Sequence, residues 1–381
     1  MKVAIAWNWP SRLLDCSFRF ERYAAGLRAL GHQPIFVCTR EAAEGFPGEF
    51  HCCDSREQMK DAGFWRAVGA GAVLIVTWHR MAEELRAIRA AGSRAVAISD
   101  SDGRAGSKLF WRWNLERQIL YHRGAAAKLR FLRGWLDLQV RQRVFRSFPE
   151  DEQSVDSTRE SDVVALGHQQ GVENFRRFLA SMGEEKLGEK LRVVPFTIGE
   201  SFLACPLPDK KENRIAAIGR WDDPQKNAPL MAKALRRFLE RNAETEVDLF
   251  GQGGEPYFRP LEKEFPRLAY HGVQRQEVVA ENLSRARAIL FSSRWEGCPH
   301  AAIETLALGG TLVGTEMPSL ASWIEAGRYG RVAAHRPAAL AQALEEEMEA
   351  WEEGRRDHLA IAATWRERVR PEAVCTALLA P

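Results

Sequence analysis

Short apolar runs recur through the first half of the chain at 2–7, 34–38, 72–77, 95–99, 162–166 and 191–195. Longer stretches of helical periodicity, such as 17–30 and 81–91, separate them. The second half repeats the alternation, with runs at 215–218, 247–250, 288–291 and 311–315. Strand-length runs divided by helix-length stretches predict a parallel sheet with helices on both faces, an α/β fold. A chain of 381 residues exceeds the size at which one core stops growing, so the pattern predicts two such domains. The proline- and charge-rich stretch Leu203–Lys211 is the expected linker, with one domain over 1–202 and the other over 212–358.

Composition narrows the class. Hydrophobic residues make up 45%, enough for two cores, yet no apolar run approaches the ~20 residues of a membrane span. Asn8-Trp9-Pro10 interrupts the first apolar run early, which argues against a signal peptide. The seven cysteines are scattered, with no C-x-x-C pair and no Cys/His metal spacing. That usage suits reduced thiols and a cytoplasmic setting.

Charge is distributed unevenly. The chain carries +3 overall, but 104–146 holds eleven Lys and Arg against Glu116 and Asp137, a local +9. Aromatic residues are interleaved there: Phe110, Trp111, Trp113, Tyr121, Phe131, Trp135 and Phe145. Leu129, Leu132, Leu136, Val140 and Val144 fall on one helical stripe. A basic amphipathic helix suits an anionic membrane surface or an acceptor bearing phosphate or carboxylate groups. The alternative packs the stripe on the first domain and leaves the cations solvated. Nucleic acid is disfavoured, because no DNA- or RNA-binding signature accompanies the charge.

The chemistry concentrates in loops after strands. In Ser292-Ser293-Arg294-Trp295-Glu296-Gly297-Cys298-Pro299-His300-Ala301-Ala302-Ile303-Glu304, a polar loop follows Ala288–Phe291 and leads into a helix closed by Gly309-Gly310. A helix starting there lies at the carboxyl edge of a parallel sheet, where such folds bind ligands. Backbone N–H groups of residues 298–301 suit phosphate or sugar oxygens, and Glu304 can accept two hydrogen bonds from a vicinal diol. Earlier, Ile215–Ile218 runs into Gly219-Arg220-Trp221-Asp222-Asp223-Pro224-Gln225-Lys226, and Val247–Phe250 into Gly251-Gln252-Gly253-Gly254.

Together these segments resemble the GT-B retaining glycosyltransferases of family four. Glu296 and Glu304 match that family's E-x7-E signature, and Gly219-Arg220 with Lys226 resembles its G-R-x(n)-K loop, one residue longer than in many members. The resemblance implies two Rossmann-like doubly wound domains facing a central cleft, with a C-terminal helix near 359–381, interrupted at Pro371, returning to the first domain. It implies a nucleotide-sugar donor in the second domain. Arg220 and Lys226 would hold the diphosphate, Glu304 the ribose, and Glu296 the donor sugar. Gly219, Gly251, Gly253, Val273, Gly297, Cys298, Pro299, His300 and Ala301 would border the donor. The family works without a metal or other cofactor, so none is expected.

Acceptor-side motifs transfer less cleanly. Asn8–Cys16 replaces the family's glycine-rich loop after the first strand, and Phe196-Thr197 replaces its Asn-Gly. Where many members place a histidine, this chain has Ile98-Ser99-Asp100-Ser101-Asp102-Gly103. Asp100 or Asp102 would accept a sugar hydroxyl, unless both merely shape an Asx turn. His79, after another strand, is the third candidate. The implied reaction is sugar transfer to an acceptor hydroxyl, on a glycan or lipid-linked acceptor. A nucleotide-sugar epimerase of similar fold and a non-catalytic sugar-nucleotide-binding relative remain as alternatives.

Overall fold

A computed structural model describes residues 1–7, 13–39, 49–77 and 79–381, with 13–19 as backbone only. The loop 8–12 that follows the first strand lies outside the described residues. Two compact units appear, one of residues 1–195 with 371–381 and one of residues 196–370.

The first unit is built on β1 (Lys2–Trp7), β2 (Gln33–Cys38), β3 (Phe50–Cys52), β4 (Ala72–Thr77), β5 (Arg94–Ser99), β6 (Val163–Leu166) and β7 (Leu191–Val193). They form one sheet in the order β3-β2-β1-β4-β5-β6-β7, every pair parallel. Every residue of β4 is buried, as expected of a strand covered on both faces. Ile35, Val73, Ile75, Phe175 and Phe178 are among the side chains of its core.

The second unit contains β8 (Glu212–Ile218), β9 (Glu246–Phe250), β10 (Leu268–Gly272), β11 (Ala286–Phe291), β12 (Thr311–Thr315) and β13 (Gly330–Ala333). Its sheet runs β10-β9-β8-β11-β12-β13, again all parallel. Strand order reverses between β8 and β11, so the crossovers leave those two strands toward opposite sides and open a crevice above their carboxyl ends.

Two boundaries differ from the sequence reading. The first unit closes after Pro195, not at 202, because Phe196, Ile198 and Phe202 are buried within the second unit. There Thr197 Oγ1 donates to the Val369 carbonyl at 2.9 Å. The expected linker is strapped to that unit as well. Arg366 donates to the Cys205 carbonyl at 2.9 Å, and Lys211 is buried with its ammonium donating to the carbonyls of Leu283, Ser284 and Leu308. The expected C-terminal helix is two helices, His358–Val369 and Pro371–Leu379, and only the second joins the first unit. Proline lacks an N–H and disfavours helical geometry in the residue before it, which sets the break at Arg370.

The basic segment forms the helices Trp111–Ile119 and Ala125–Val144. The alternative in which the apolar stripe packs inward holds only for the half-buried Leu132, since Leu129, Leu136, Val140 and Val144 are exposed.

Candidate active site

The loops after β8 and β11 lie beside each other because their strands pair, Ala288 opposite Ile215 and Ile289 opposite Ala216. The first loop is fixed from below. Trp221 is buried, its N–H donating to the Gln252 carbonyl and its indole N–H to the Phe250 carbonyl, both at 2.8 Å. Gly251 has φ 110°, and a Cβ there would run into the Gly219 carbonyl oxygen, so only glycine lets the two loops meet. Gly253, in the left-handed region, packs against Asp222 in the same way. Gly219, Gly251 and Gly253 therefore shape the crevice wall through backbone contact.

The two loops are stitched directly. The Arg294 N–H donates to the Gln225 carbonyl at 2.8 Å, Gln225 Nε2 to the Trp295 carbonyl at 2.8 Å, and Ser292 Oγ to the Lys226 carbonyl at 2.6 Å. At the centre the Lys226 ammonium pairs with the Glu296 carboxylate at 2.5 Å, and both side chains are largely shielded. Glu296 also accepts from Ser293 Oγ at 2.6 Å and from Gln225 Nε2 at 3.1 Å. A buried carboxylate with three donors is fully satisfied. Sequence reasoning singled out Lys226 and Glu296 but missed Gln225 and Ser293. The signal for both is proximity: Gln225 adjoins the lysine, and Ser293 sits three positions before the glutamate, within reach across a tight turn. Arg220 is exposed and pairs with Asp223 at 3.1 Å. Its guanidinium stands at the loop surface, not in the buried pair.

Gly297, Cys298 and Pro299 lead into the helix His300–Ala307, with Cys298 and Pro299 buried. The His300 ring stacks on Phe196 at 5.0 Å. Glu304, one turn along the helix, is buried. Val273 is exposed just past β10, at the carboxyl edge of the same sheet. The neighbouring His271 is engaged elsewhere, with Nε2 2.6 Å from Asp248 Oδ1 and its ring on Phe250. Burial pushes the Asp248 carboxyl up, but bonds from His271, Asn282 and Arg214 outweigh that and hold it below its ordinary range.

The first unit carries the remaining candidates. Asp102 is buried, its carboxylate taking the Arg104 N–H at 3.1 Å and the guanidinium at 2.9 Å, the Asx-turn arrangement weighed above. Asp100 is half-buried, its N–H donating to the Thr77 carbonyl at 3.3 Å. His79 is buried in the left-handed region at φ 68°. Its Nε2 lies 2.6 Å from Ser99 Oγ and 2.8 Å from Ser101 Oγ, and its ring stacks on Phe175. Burial, then the charge of Arg80, lowers its pKa to about 4, so the imidazole is neutral at physiological pH. The imidazole held by the Ser99 and Ser101 hydroxyls forms a polar cluster at the carboxyl ends of β4 and β5, with Asp100 between the two serines in sequence.

Comparison with known proteins defines the fold. The chain aligns over 99% of its length with 99% of the apo lipopolysaccharide outer core galactosyltransferase WaaB, at 14% identity and a TM-score of 0.61. Anabaena HepE in complex with UDP aligns over 99% of this chain and 98% of that one, at 12% identity and 0.63. A glycosyltransferase from Rickettsia africae aligns over 100% and 98%, at 12% identity and 0.64. No curated protein matches by sequence. The fold is that of the GT-B glycosyltransferases. Residues 212–349, most of the second unit, match the family described as Glycosyl transferases group 1, and both Lys226 and Glu296 lie within the matched residues.

Proposed function

We propose that this protein is a retaining hexosyltransferase that moves a sugar from a nucleoside diphosphate sugar to an acceptor hydroxyl. The observation that carries the reading is the Lys226–Glu296 pair at the strand-order reversal of the matched domain, with Arg220 at the rim. Loss of the sugar leaves growing negative charge on the diphosphate, and fixed cations stabilise it most where water is scarce. Lys226 supplies a shielded point charge, and Arg220 can turn from Asp223 to grip phosphate oxygens bidentately. The helix start at Gly297–Ala301 offers N–H groups to phosphate and sugar. Glu304 holds the ribose diol and Glu296 orients the donor sugar. The departing phosphate takes the proton of the incoming hydroxyl, so bond making and breaking share one face of the sugar and need neither an enzyme nucleophile nor a metal.

Supporting the donor class, HepE of similar fold has been solved with UDP and with UDP and glucose. Asp100 in the first unit receives an acceptor hydroxyl, on a glycan or lipid-linked acceptor, in a cytoplasmic setting.

The test is titration of nucleoside diphosphates, UDP first, followed by product analysis with their sugars. Glu304→Ala removes a charge-assisted bond and is expected to weaken nucleotide binding by about 1.5–3 kcal/mol, roughly ten- to a hundredfold in Kd. Unchanged affinity in a folded variant refutes the ribose assignment. Release of free diphosphate with no sugar-linked product points instead to the epimerase reading. Turnover is expected to survive EDTA.

A further inference from the structure

The helix Ala125–Val144 is built inside out. Its inward side carries Trp135, Gln139 and Gln142, all buried. The two glutamines are satisfied by each other at 3.3 Å, by Ser107 Oγ at 3.1 Å and by Arg143 at 2.6 Å. Its outward side carries Leu129, Leu136, Val140 and Val144, which are 52–68% exposed, and Phe145 beyond the helix end is 74% exposed. These helix positions step by seven, four and four along the sequence, so they form one continuous stripe. Water-facing helices place such residues inward, and a contiguous exposed apolar stripe marks an interaction surface.

The aromatic residues of the segment do not explain the stripe. Trp111 packs on Trp135 at 5.6 Å, His122 stacks on Phe131 at 4.4 Å, and Arg104 and Arg117 cover Trp113 at 4.3 and 4.8 Å. Those contacts bind the helices Trp111–Ile119 and Ala125–Val144 to each other and to the turn before them. The first unit holds the start of the segment through Asp151, which is buried and accepts the Ser107 and Lys108 N–H groups at 2.7 and 2.8 Å. The stripe is therefore presented on a braced element.

The charge around it selects the occupant. Arg130 and Arg133 make no ion pair among the described residues, and Arg141 pairs only with exposed Asp137 on its own helix. A second copy of the chain would bring another +9 segment against this one and be repelled. A neutral apolar partner would leave the arginines unmatched. We propose that the outward face of Ala125–Val144 docks in the headgroup region of an anionic lipid bilayer, with the helix lying in the plane of the surface. Leu129, Leu136, Val140, Val144 and Phe145 enter the acyl boundary while the arginines meet lipid phosphates. With arginines among its apolar residues, the helix is not apolar enough to cross the bilayer. This placement stands on the first unit alone and is independent of the sugar-transfer reading.

The experiment is flotation of the full chain with phosphatidylcholine vesicles and with phosphatidylcholine–phosphatidylglycerol vesicles, at low and high salt. The wild type is expected to bind only the anionic vesicles, and to release at high salt. Replacing Arg130, Arg133 and Arg141 with glutamine is expected to weaken partition about fivefold per cation removed. Replacing Leu136, Val140 and Val144 with serine is expected to abolish binding even at low salt, with an unchanged melting temperature because these residues contact water. Nucleotide binding, measured in parallel, is expected to stay intact in both variants. Absence of wild-type binding to anionic vesicles overturns the proposal. So does a wild type that sediments as a dimer and becomes monomeric on serine substitution, which would assign the stripe to a second copy.

Discussion

The Lys226–Glu296 pair allows a quantitative test in which stability and ligand binding move in different directions. At 2.5 Å and an effective dielectric near 20, the attraction between the two charges is about 7 kcal/mol before desolvation. Both groups are shielded, so desolvation removes most of that, and a net coupling of about 2–3 kcal/mol remains, within the range found for close charge pairs. Glu296→Gln keeps the side-chain shape and an acceptor for Ser293, but leaves the ammonium without its counter-charge. It is expected to lower the stability of the second unit by that coupling, and Lys226→Met by a similar amount. The double variant is expected to lose less than the sum, and denaturant unfolding of all four proteins closes the cycle. In UDP titrations the two single variants part company. Lys226→Met loses the cation proposed to meet the diphosphate and is expected to bind more weakly. Glu296→Gln releases that cation from its internal partner and binds free UDP as well or better, while turnover with a nucleotide sugar falls. A coupling below about 0.5 kcal/mol refutes the pair as an energetic unit, and equal loss of UDP affinity in both variants refutes separate roles for lysine and glutamate.

Two further predictions concern buried titrating groups. Burial lowers the Lys211 amine to about 7. Between that value and the ordinary lysine range the unfolded chain binds a proton that the folded one lacks, so stability rises with pH by up to about 1.4 kcal/mol per unit. Lys211→Met removes this slope and leaves the Leu283, Ser284 and Leu308 carbonyls without their shared donor, costing about 1–3 kcal/mol; parallel melting curves from neutral to alkaline pH that keep the same slope refute the reasoning. His79 is neutral when folded and charged when unfolded between about 4 and the ordinary histidine value. The first unit is therefore expected to lose up to about 3 kcal/mol as pH falls through that window, a loss that His79→Gln removes; an unchanged acid slope in the variant counts against it.

Much of this arrangement was legible in the residues. Apolar strand runs such as Ile215–Ile218 and Ala288–Phe291 are unambiguous, and the polar loops after them had to lie at the sheet's carboxyl edge. That placed the loops, and the resemblance of their residues to the E-x7-E and G-R-x(n)-K motifs singled out Glu296 and Lys226 within them. Their bond was not legible, because the partners are 70 positions apart and meet only through the pairing of β8 with β11. Periodicity showed that Leu129, Leu136, Val140 and Val144 share a face but not which way it points. Orientation was decided by Gln139 and Gln142, whose side chains find partners inside. Lys211 read as a linker charge because nothing in Asp209-Lys210-Lys211 announces three carbonyls waiting for an ammonium. The boundary near Pro195 was misplaced for a related reason, since Phe196, Ile198 and Phe202 are as apolar as any strand and only their contacts say which core owns them.

The break at Pro371 has a consequence for how the chain comes off the ribosome. The helix Pro371–Leu379 lies along Leu13–Ala29, where a Cβ on Gly26 would run into the Pro371 carbonyl, and Cys375 Sγ donates to the Tyr23 carbonyl. Arg94 donates to the carbonyls of Leu379 and Ala380, spanning 285 positions in the first case. The unit whose translation begins first thus contains a piece that is translated only after the whole of the second unit. Residues 196–370 are continuous and can condense as they emerge, whereas residues 1–195 must hold an unfinished surface open until residues 371–381 have been made. Vectorial synthesis therefore favours the second-made unit, and a chain released short of residue 371 would fail in its opening half, far from the cut.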